Sequence, residues 1–464
     1  MPSLQVEQFF LGCLAHASYL VASDGIATVI DPQRDVDIYL ETAQRLRVKI
    51  AHVIETHLHA DFVSGHLELA ERTGASIYLG DGSGARFPHT AVRTGDRIEF
   101  GRCRMEFLQT PGHTLESICI VASDLGDASA PKAVYTGDTL FVGDVGRPDL
   151  SGDHTPQELA AMLFTSLHEK LLKLPDDTVI YPAHGAGSLC GRQMSTERSS
   201  TIGRERRMNY ALQAHTSEEF IHLLTDSLPP RPEYFGRSVE LNRQGAGAIE
   251  QLPRPKPVSA PDVYRLQSEG AIVLDTRPLQ QFAVAHVPGS VHVALSGQYA
   301  SWAARILGLD RHIILVGEDA DHLRESQLRL ARVGMEQVDA CLEGGIQGWL
   351  LGGYQLEYIP QVTVEEFDEL RRHEPVNILD VRERGEVADG AIEGSQHIPL
   401  GQLPSRIAEV PRDNLLVVHC KGGYRSSIAT SLLRRAGILD LANLTGGYDA
   451  WTAALAQQTS ASAS

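Results

Sequence analysis

Two stretches in the second half of the chain resemble each other, and this repeat limits the fold more than any other feature. Residues 273–295, VLDTRPLQQFAVAHVPGSVHVAL, align with residues 378–400, ILDVRERGEVADGAIEGSQHIPL, at an offset of 105 positions. Further on, EGGIQGW at 343–349 is echoed by TGGYDAW at 445–451, at an offset of 102. A repeat with so long a period indicates two copies of one domain rather than a solenoid.

Each copy predicts the same order of elements. A buried strand (VLD or ILD) is followed by a loop, a second apolar strand (HIILV or NLLVV) and an amphipathic helix. This alternation favours α/β domains with parallel sheets. Before the first copy, residues 251–261 read QLPRPKPVSAP, and the four prolines of that stretch favour an extended spacer. We therefore predict three domains, 1–240, 258–355 and 358–457, which suits a chain of 464 residues.

The segment before the linker carries four short motifs that are rich in potential metal ligands. They are THLHADF at 56–62, TPGHT at 110–114, YTGD at 135–138 and YPAHG at 181–185. Most of them follow an apolar, β-rich run, and the ends of successive strands can converge at one edge of a sheet sandwich. A single loop histidine is usually a surface residue, and an aspartate after glycine usually belongs to a turn. Four such motifs in order are hard to explain as structure alone.

The order of these motifs resembles the metallo-β-lactamase fold, an αββα sandwich, over residues 1–235. In that fold the histidine after the aspartate of the first motif serves a second metal ion, but here the position is Phe62, which cannot bind metal. A pair of hydrolytic metal ions is therefore poorly supported. One site remains, formed by His57, His113 and Asp138. Two imidazoles and one carboxylate suit non-haem iron(II) and oxygen chemistry, although zinc also accepts these ligands.

Taken together, THLHADF, TPGHT, GDTLFVGDVGRPDL and YPAHGAGSLCG closely resemble the motifs of the persulfide dioxygenases. The resemblance implies one iron(II) ion per chain, held by His57, His113 and Asp138. It also implies that three further residues orient the ligands or a water molecule through hydrogen bonds. These residues are His59, Asp61 and His184.

Two other residues of this segment are candidates for a role in the reaction. Arg147, in VGRPDL, matches a family segment that contacts the thiol carrier, so the resemblance implies a pair with a substrate carboxylate. A turn-stabilising arginine is the alternative. Cys190 lies six residues after His184 and is a candidate for a persulfide relay or a redox role. A free cysteine is most often a small buried hydrophobic residue, and that alternative stays open.

The carboxy-terminal copy contains a cysteine loop, VVHCKGGYRSS. A strand ends at His419, Cys420 follows, and the loop leads into a helix that we expect to begin at about Ser426. Backbone N–H groups of such a loop and the helix dipole would both stabilise a thiolate or a persulfide anion. The loop resembles that of the rhodaneses, which are sulfurtransferases. The resemblance implies Cys420 and Arg425 as catalytic residues. It also implies a substrate cradle of four residues, Lys421, Gly422, Gly423 and Tyr424.

A cysteine phosphatase is the rival class for this loop. Six residues run from Cys420 to Arg425, as in rhodaneses, whereas the related phosphatases have one more. In the middle copy, Gly317 falls opposite Cys420 with no cysteine nearby, so no covalent persulfide can form there. Cys341 of that copy lies in a predicted core strand. We therefore predict a catalytically silent copy that packs, orients or mediates assembly.

Charge and cysteine content limit the partners. A net charge of −18 argues against nucleic acid or an anionic membrane surface. No apolar stretch approaches the roughly 18 residues that span a bilayer, and the first residues do not have the pattern of a signal peptide. The six cysteines are scattered without a CxxC pair, which suits a reducing cytoplasm. We expect a cytoplasmic homo-oligomer.

The whole chain resembles the multidomain persulfide dioxygenase–sulfurtransferases of bacterial sulfide detoxification. The resemblance implies that O2 oxidises a thiol persulfide to sulfite, and that Cys420 exchanges sulfane sulfur among persulfide, sulfite and thiosulfate. Fusion would place the product of one site near its consumer. Two other classes stay open, a glyoxalase II-type thioester hydrolase and a non-catalytic sulfur-carrier scaffold. The thiol carrier and the direction of transfer do not follow from the sequence.

Overall fold

The computed structural model describes residues 4–126, 131–152, 154–226 and 228–462. Its contacts divide the chain into two compact units. Unit 1 consists of residues 1–252 together with 331–334, and unit 2 of residues 253–330 together with 335–464. Both copies of the sequence repeat therefore lie in unit 2.

Unit 1 contains two six-stranded sheets, each with antiparallel and parallel pairs. The strands of the first sheet follow one another in space as in the chain: β1 Gln5–Leu11, β2 His16–Ser23, β3 Ile26–Ile30, β4 Lys49–Ile54, β5 Ser76–Gly80 and β6 Thr90–Val92. Those of the second sheet are also neighbours in chain order: β7 Arg97–Phe100, β8 Cys103–Gln109, β9 Ile118–Asp124, β10 Ala133–Gly137, β11 Val179–Pro182 and β12 Ser200–Thr201.

Helices accompany both sheets of unit 1. They are α1 Asp37–Leu46, α2 His66–Thr73, α3 Pro156–Glu169, α4 Ile202–Met208, α5 Ser217–Thr225 and α6 Phe235–Gln244. Thr155 begins α3 with a capping box to Glu158, and Pro156 takes the first helical position, where its missing N–H costs nothing.

Alternating side chains along the strands explain the layers of unit 1. In β2, Tyr19 and Val21 point into a core that also contains Met105 of β8 and Ile120 of β9. The intervening Leu20 packs on the opposite face, in a core shared with α1 and α2. The outer face of the second sheet is covered in the same way by α3 and α5. Because successive side chains of a strand point to opposite faces, strands that are apolar throughout need this cover on both sides, and the αββα prediction is confirmed.

Unit 2 contains two copies of one α/β fold. The middle copy runs β13 Lys256–Val258, α7 Ala260–Ser268, β14 Ile272–Asp275, α8 Leu279–Val284, β15 Val291–His292, α9 Tyr299–Leu307, β16 Ile313–Val316, α10 Ala320–Ala331, β17 Val338–Leu342 and α11 Gly345–Leu351. The carboxy-terminal copy runs β18 Gln361–Val362, α12 Val364–His373, β19 Asn377–Asp380, α13 Arg384–Ala388, β20 Gln396–His397, α14 Leu403–Arg406, β21 Leu416–His419, α15 Tyr424–Arg435, β22 Leu441–Leu444 and α16 Gly447–Ser462.

The two copies have the same topology. Their sheets have the strand orders β13-β17-β16-β14-β15 and β18-β22-β21-β19-β20, with all pairs parallel. In each copy an aspartate at a strand end pairs with the arginine two residues later at 2.6 Å, Asp275 with Arg277 and Asp380 with Arg382. The prediction of two parallel α/β domains is confirmed. Within the described residues, no helix combines the length and apolar character that crossing a lipid bilayer requires.

Candidate metal centre and cysteine loop

Four strand ends bring the predicted metal-site residues to one edge of unit 1. His57 lies shortly after β4 and Asp138 directly after β10, while His113 and His184 follow β8 and β11. The first of these strands belongs to one sheet and the other three to the second sheet, so the site lies where the carboxyl ends of both sheets meet. None of the four residues is more than 2% exposed.

The imidazoles of His57 and His113 and the carboxylate of Asp138 converge on one point. Asp138 Oδ2 lies 3.3 Å from His113 Nε2 and 3.8 Å from His57 Nε2. One ligand atom of each residue lies within 4.8 Å of the other two. These atoms are buried, and among the residues that the structure describes none has a hydrogen-bond partner. Buried polar atoms are otherwise nearly always paired, so the arrangement fits a metal ion that uses them as ligands.

Hydrogen bonds on the far side of both imidazoles determine which nitrogen faces this point. His113 Nδ1 donates to the Arg147 carbonyl at 3.0 Å. His57 Nδ1 lies 3.0 Å from Thr56 Oγ1, whose hydroxyl donates to Asp31 Oδ2 at 2.8 Å. A carbonyl only accepts, and the Thr56 proton is already given to Asp31, so each Nδ1 carries the imidazole proton. Each Nε2 therefore presents a lone pair, as in histidines that bind metal.

The surroundings favour the ionisation states that metal binding needs. Burial, reinforced by the neighbouring His59, lowers the pKa of His57 well below its ordinary value. Burial also lowers the pKa of His113. Burial alone would raise the pKa of Asp138, but His184 and the two imidazoles hold that pKa well below its ordinary value. The result is two neutral imidazoles and one carboxylate.

His59 turns away from the metal-facing atoms. Its Nε2 lies 3.2 Å from Asp31 Oδ1 and 3.4 Å from Glu55 Oε2, and both carboxylates are buried. Burial opposes a charge on His59, but the two carboxylates outweigh it and hold the pKa of His59 well above its ordinary value. His59 thus anchors Asp31, which holds Thr56 and, through it, His57. Asp31 and Glu55 could not be predicted from the sequence, since a single carboxylate after an apolar strand carries no ligand spacing.

His184 joins the metal-facing carboxylate to a second one. Its Nδ1 lies 2.7 Å from Asp138 Oδ1, and its Nε2 lies 2.9 Å from Asp61 Oδ2. Burial disfavours the charged ring, yet Asp138 and Asp61 raise the pKa of His184 to about 10. With its two nitrogens facing Asp138 and Asp61, His184 can orient the carboxylate of Asp138.

Phe62 occupies the place where the first motif would supply a second-metal histidine. Its side chain is completely buried, with its ring centroid 4.4 Å from that of His59 and 4.1 Å from that of His16. His16, the first residue of β2, is itself buried beside His184, at a centroid distance of 5.5 Å. His16 could not be predicted from the sequence, because a lone histidine in LGCLAHASYLV matches no ligand spacing. The apolar ring of Phe62 removes a ligand from any second site.

The guanidinium of Arg147 is engaged within the protein. It makes a bidentate pair with Asp149, at 2.6 and 2.8 Å, and donates to the carbonyls of Leu189 and Pro229. The residue is 5% exposed. These are the contacts of a turn-stabilising arginine, the alternative that the sequence left open. The backbone carbonyl of Arg147 has a clearer role, because it positions His113; pairing with a substrate carboxylate stays a prediction.

Cys190 approaches the metal centre. Its Sγ, a carboxylate oxygen of Asp61 and an imidazole nitrogen of His184 lie within 4.8 Å of one another. Burial, together with Asp61 and Asp138, raises the pKa of the Cys190 thiol well above its ordinary value. The side chain is therefore held as a neutral thiol.

The cysteine loop of unit 2 leads from β21 into α15, which begins at Tyr424, two residues earlier than predicted. Cys420 is buried, and the N–H of Gly423 donates to its Sγ at 3.1 Å. Among the other predicted cradle residues, Lys421 and Gly422 are exposed. The loop thus has a buried sulfur on one side and an open side toward solvent.

The TGGYD turn, residues 445–449, is hydrogen-bonded to the backbone of this loop. The N–H of Tyr448 donates to the carbonyl of Cys420 at 2.8 Å, and the N–H of Asp449 donates to that of Lys421 at 3.0 Å. At Gly447, where φ is +59°, a Cβ would lie 2.4 Å from the carbonyl oxygen of Cys420. This close approach explains the second glycine of the motif.

Arg425 forms a bidentate pair with Glu386 of α13, at 2.5 and 2.7 Å. Burial opposes the charge of Glu386, but Arg425 outweighs it and lowers the pKa of Glu386. The catalytic role predicted for Arg425 therefore has to operate with a carboxylate beside it. Glu386 could not be predicted from the sequence, because it lies six positions past the aspartate of LDVR and matches no motif.

In the corresponding loop of the middle copy, two side chains lie close to Gly317. A Cβ at Gly317 would lie 2.9 Å from Leu323 Cδ2 and 3.2 Å from His322 Cδ2. The His322 ring is itself tied to Thr276, with Nε2 3.0 Å from Oγ1. Cys341 is buried in β17.

Comparisons with known proteins agree with this division. Residues 11–184 match the family model of the metallo-β-lactamase superfamily, and residues 259–351 and 363–454 each match that of the rhodanese-like domain. The Homo sapiens protein named persulfide dioxygenase ETHE1, mitochondrial, is 31% identical over 215 residues, which cover 45% of this chain and 76% of that protein. The Bos taurus protein of the same name is 32% identical over the same shares.

A hydroxyacylglutathione hydrolase of Polaromonas sp. is 34% identical over 185 residues, which cover 39% of this chain and 66% of that protein. A crystal structure described as a metallo-β-lactamase from Staphylococcus aureus subsp. aureus COL is 30% identical, with a TM-score of 0.66, and covers 74% of this chain and 99% of its own.

The fold and the buried centre define a metallo-β-lactamase superfamily domain that is joined to two rhodanese-like domains. Within that superfamily the chain belongs to the persulfide dioxygenase family.

Proposed function

We propose that unit 1 is a mononuclear iron(II) persulfide dioxygenase, and that Cys420 of unit 2 transfers sulfane sulfur between persulfide, sulfite and thiosulfate, in the service of sulfide detoxification. The observation that carries the first part is the convergence of three buried, unpaired ligand atoms of His57, His113 and Asp138. The observation that supports the second is the N–H of Gly423 directed at the Cys420 sulfur.

The oxidation converts R–S–SH, O2 and H2O into R–SH, sulfite and two protons. When bound at the triad, iron(II) would supply the redox chemistry that joins dioxygen to the outer sulfur. Asp138 contributes one negative charge and the two imidazoles none, so a divalent ion held there keeps a net positive charge that attracts a persulfide anion. His184 keeps Asp138 ionised and oriented, and Thr56 and Arg147 keep the imidazoles directed.

The transfer step at Cys420 is a displacement at sulfur. Sulfite attacks the outer sulfur of the Cys420 persulfide, the S–S bond to the cysteine breaks, and its electron pair stays on the Cys420 sulfur as a thiolate while thiosulfate leaves. The N–H of Gly423 and the amino end of α15 stabilise negative charge on this sulfur before and after the step. The reverse step, from thiosulfate to Cys420, uses the same contacts.

A thioester hydrolase is the competing function, since proteins named hydroxyacylglutathione hydrolase are also similar to this chain. Such chemistry relies on two neighbouring metal ions in the superfamily, and Phe62 removes one ligand from the second site. The nearby Asp61 and His184 face each other, with His184 Nε2 2.9 Å from Asp61 Oδ2. We therefore favour the mononuclear site. The cytoplasmic location and the homo-oligomer stay predictions from the sequence.

Metal analysis and oxygen uptake test the proposal together. Protein purified under argon should carry one iron ion per chain and consume oxygen only when a persulfide, for instance that of glutathione or coenzyme A, is added. Asp138→Ala should abolish this uptake, because it removes the only anionic ligand of the triad. Two zinc ions per chain, with thioester hydrolysis and no oxygen uptake, would refute it in favour of the hydrolase.

A further inference from the structure

Within unit 2, helix α15 carries the cysteine loop at its amino end and packs against the middle copy. It runs along β15, the edge strand of the middle copy's sheet. The N–H of His292 in β15 donates to Ser431 Oγ at 3.0 Å. Each of these two residues is 1% exposed. A strand of the silent copy is thus one wall of the helix that bears the cysteine loop.

The first residue of α15, Tyr424, reaches directly into the middle copy. Its hydroxyl donates to the carbonyl of Ala294 at 3.0 Å. A Cβ placed on Gly297 would lie 3.6 Å from the Tyr424 ring, and one placed on Gly423 would lie 3.8 Å from Leu279 Cδ1. Residues 294–297 of the middle copy therefore border Tyr424, and Leu279 borders Gly423.

His292 makes a second tie to the start of α15. Its Nε2 lies 2.9 Å from the carbonyl of Arg277, which only accepts, so this nitrogen carries the proton. Its Nδ1 then accepts from Ser427 Oγ, at 2.7 Å. In the carboxy-terminal copy, His397 makes the same Nε2 bond to a backbone carbonyl, at 2.9 Å. The Nε2 bond thus belongs to the fold, whereas the Nδ1 bond of His292 joins the two copies.

We propose that the middle copy is a positioning element of the Cys420 site. The Ala294 carbonyl and the His292 imidazole hold Tyr424 and Ser427, and with them the backbone N–H groups that stabilise the sulfur anion. The inference rests on the proposed sulfur transfer at Cys420. In the middle copy's own loop, the side chains of Leu323 and His322 lie next to Gly317. A positioning role does not require the middle copy to catalyse a reaction.

The loop needs such outside support because its own sequence is flexible. Gly422 and Gly423 have no side chain to pack, and glycine loses more conformational freedom on ordering than any other residue. The N–H of Gly423 must nevertheless stay aimed at the Cys420 sulfur, and hydrogen bonds weaken steeply when their angle degrades. Fixing the adjacent Tyr424 from outside restricts the orientation of that N–H.

Variants of His292 in the full chain test the proposal, because this residue belongs to the middle copy and is not part of the loop. His292→Leu removes the acceptor of Ser427, and we expect kcat for sulfur transfer from thiosulfate to cyanide to fall about tenfold. The KM for thiosulfate should change less, since the exposed side of the loop is untouched. His292→Asn keeps an acceptor near the Nδ1 position and should recover most of the loss. Tyr424→Phe, which removes only the hydroxyl bonded to Ala294, should reproduce the loss and decides the matter if His292→Leu does not fold.

A second readout does not require turnover. Alkylation of Cys420 by iodoacetamide, followed by peptide mass spectrometry, should shift to higher pH in His292→Leu and in Tyr424→Phe, because the thiolate is less well stabilised. Val263→Ala, a deletion in the core of the middle copy, serves as the matched control and should leave both readouts unchanged. Oxygen uptake should be unchanged in all variants.

The outcomes separate the two ideas. If the folded His292→Leu and Tyr424→Phe proteins keep wild-type kcat and the wild-type alkylation profile, or if Val263→Ala changes them equally, the positioning role is wrong. If the wild type transfers no sulfur but the alkylation profile still shifts as expected, the positioning role holds and the proposed transfer fails.

Discussion

Replacing Thr56 by valine isolates the hydrogen bond that directs His57. Thr56 Oγ1 accepts from His57 Nδ1 at 3.0 Å and donates to Asp31 Oδ2 at 2.8 Å. Valine has nearly the same shape, so it keeps the packing against Gly137, where an added Cβ would meet the Thr56 side chain. Thr56→Val therefore leaves the ring of His57 in place but takes away the acceptor of its Nδ1 proton.

The effect on metal binding should exceed the effect on stability. Removing the partner that orients a metal-binding histidine typically weakens affinity about 10- to 100-fold, or about 1.4 to 2.7 kcal/mol. Asp31 keeps the N–H of Thr56 at 2.7 Å and His59 at 3.2 Å, so its carboxylate is not left unpaired. The free energy of unfolding of the metal-free protein should therefore fall by only about 1 kcal/mol.

The assay is a competition for iron(II) between the protein and a coloured chelator under argon, followed by oxygen uptake with a persulfide at limiting and at saturating iron. Uptake by Thr56→Val should be low at limiting iron and largely recovered at saturating iron. Thr28→Val is the control, because within the described residues the buried Thr28 hydroxyl has no hydrogen-bond partner. Unchanged iron affinity in Thr56→Val, or an equal loss in Thr28→Val, would refute the role of the Thr56–Asp31 pair.

Three further variants test unit 2. Cys420→Ser should abolish thiosulfate formation while oxygen uptake continues and sulfite accumulates, as ion chromatography would show; loss of oxygen uptake would contradict two separate sites. Glu386→Gln removes the carboxylate beside Arg425, so the KM for the thiosulfate dianion should fall roughly threefold at low salt and less at high salt; a raised KM would contradict this. Gly317→Cys should create no sulfurtransferase activity, because the loop GEDADH lacks the glycine pair and the arginine of CKGGYR; a persulfide on that cysteine, detected by mass spectrometry, would contradict this.

The parts of the fold that the sequence predicted are those with a periodic or repeated signal. The repeat of LDTR and LDVR predicted two parallel α/β copies. The ion pairs Asp275–Arg277 and Asp380–Arg382 explain why aspartate and arginine recur at these positions. The packing of the copies against each other had no such signal. Contacts such as that of Tyr424 with Ala294 lie inside the one compact unit that holds both copies, and the bounds of the three predicted domains stay a prediction.

The candidate site likewise contains residues that the sequence predicted and residues that it did not. His57, His113 and Asp138 were predictable because each stands in a motif at the end of an apolar strand. Asp31 and Glu386 were not, although one holds the Thr56–His57 pair and the other binds Arg425. Their partners are 25 and 39 residues away along the chain, so only the folded backbone brings them together.

The features that the middle copy shares with the carboxy-terminal copy, and the features that it lacks, indicate its role. It keeps the Asp275–Arg277 pair and the bond from His292 to the Arg277 carbonyl, as the other copy does with its own residues. It has lost the cysteine and the glycine loop, and Leu323 borders the position where a Cβ would stand. A copy that served only as packing would need no buried polar contacts with its neighbour, because a buried polar group is costly unless it has a hydrogen-bond partner. The bonds of His292 and Ala294 to Ser427 and Tyr424 are such contacts, and they lie at the start of the helix that follows the Cys420 loop.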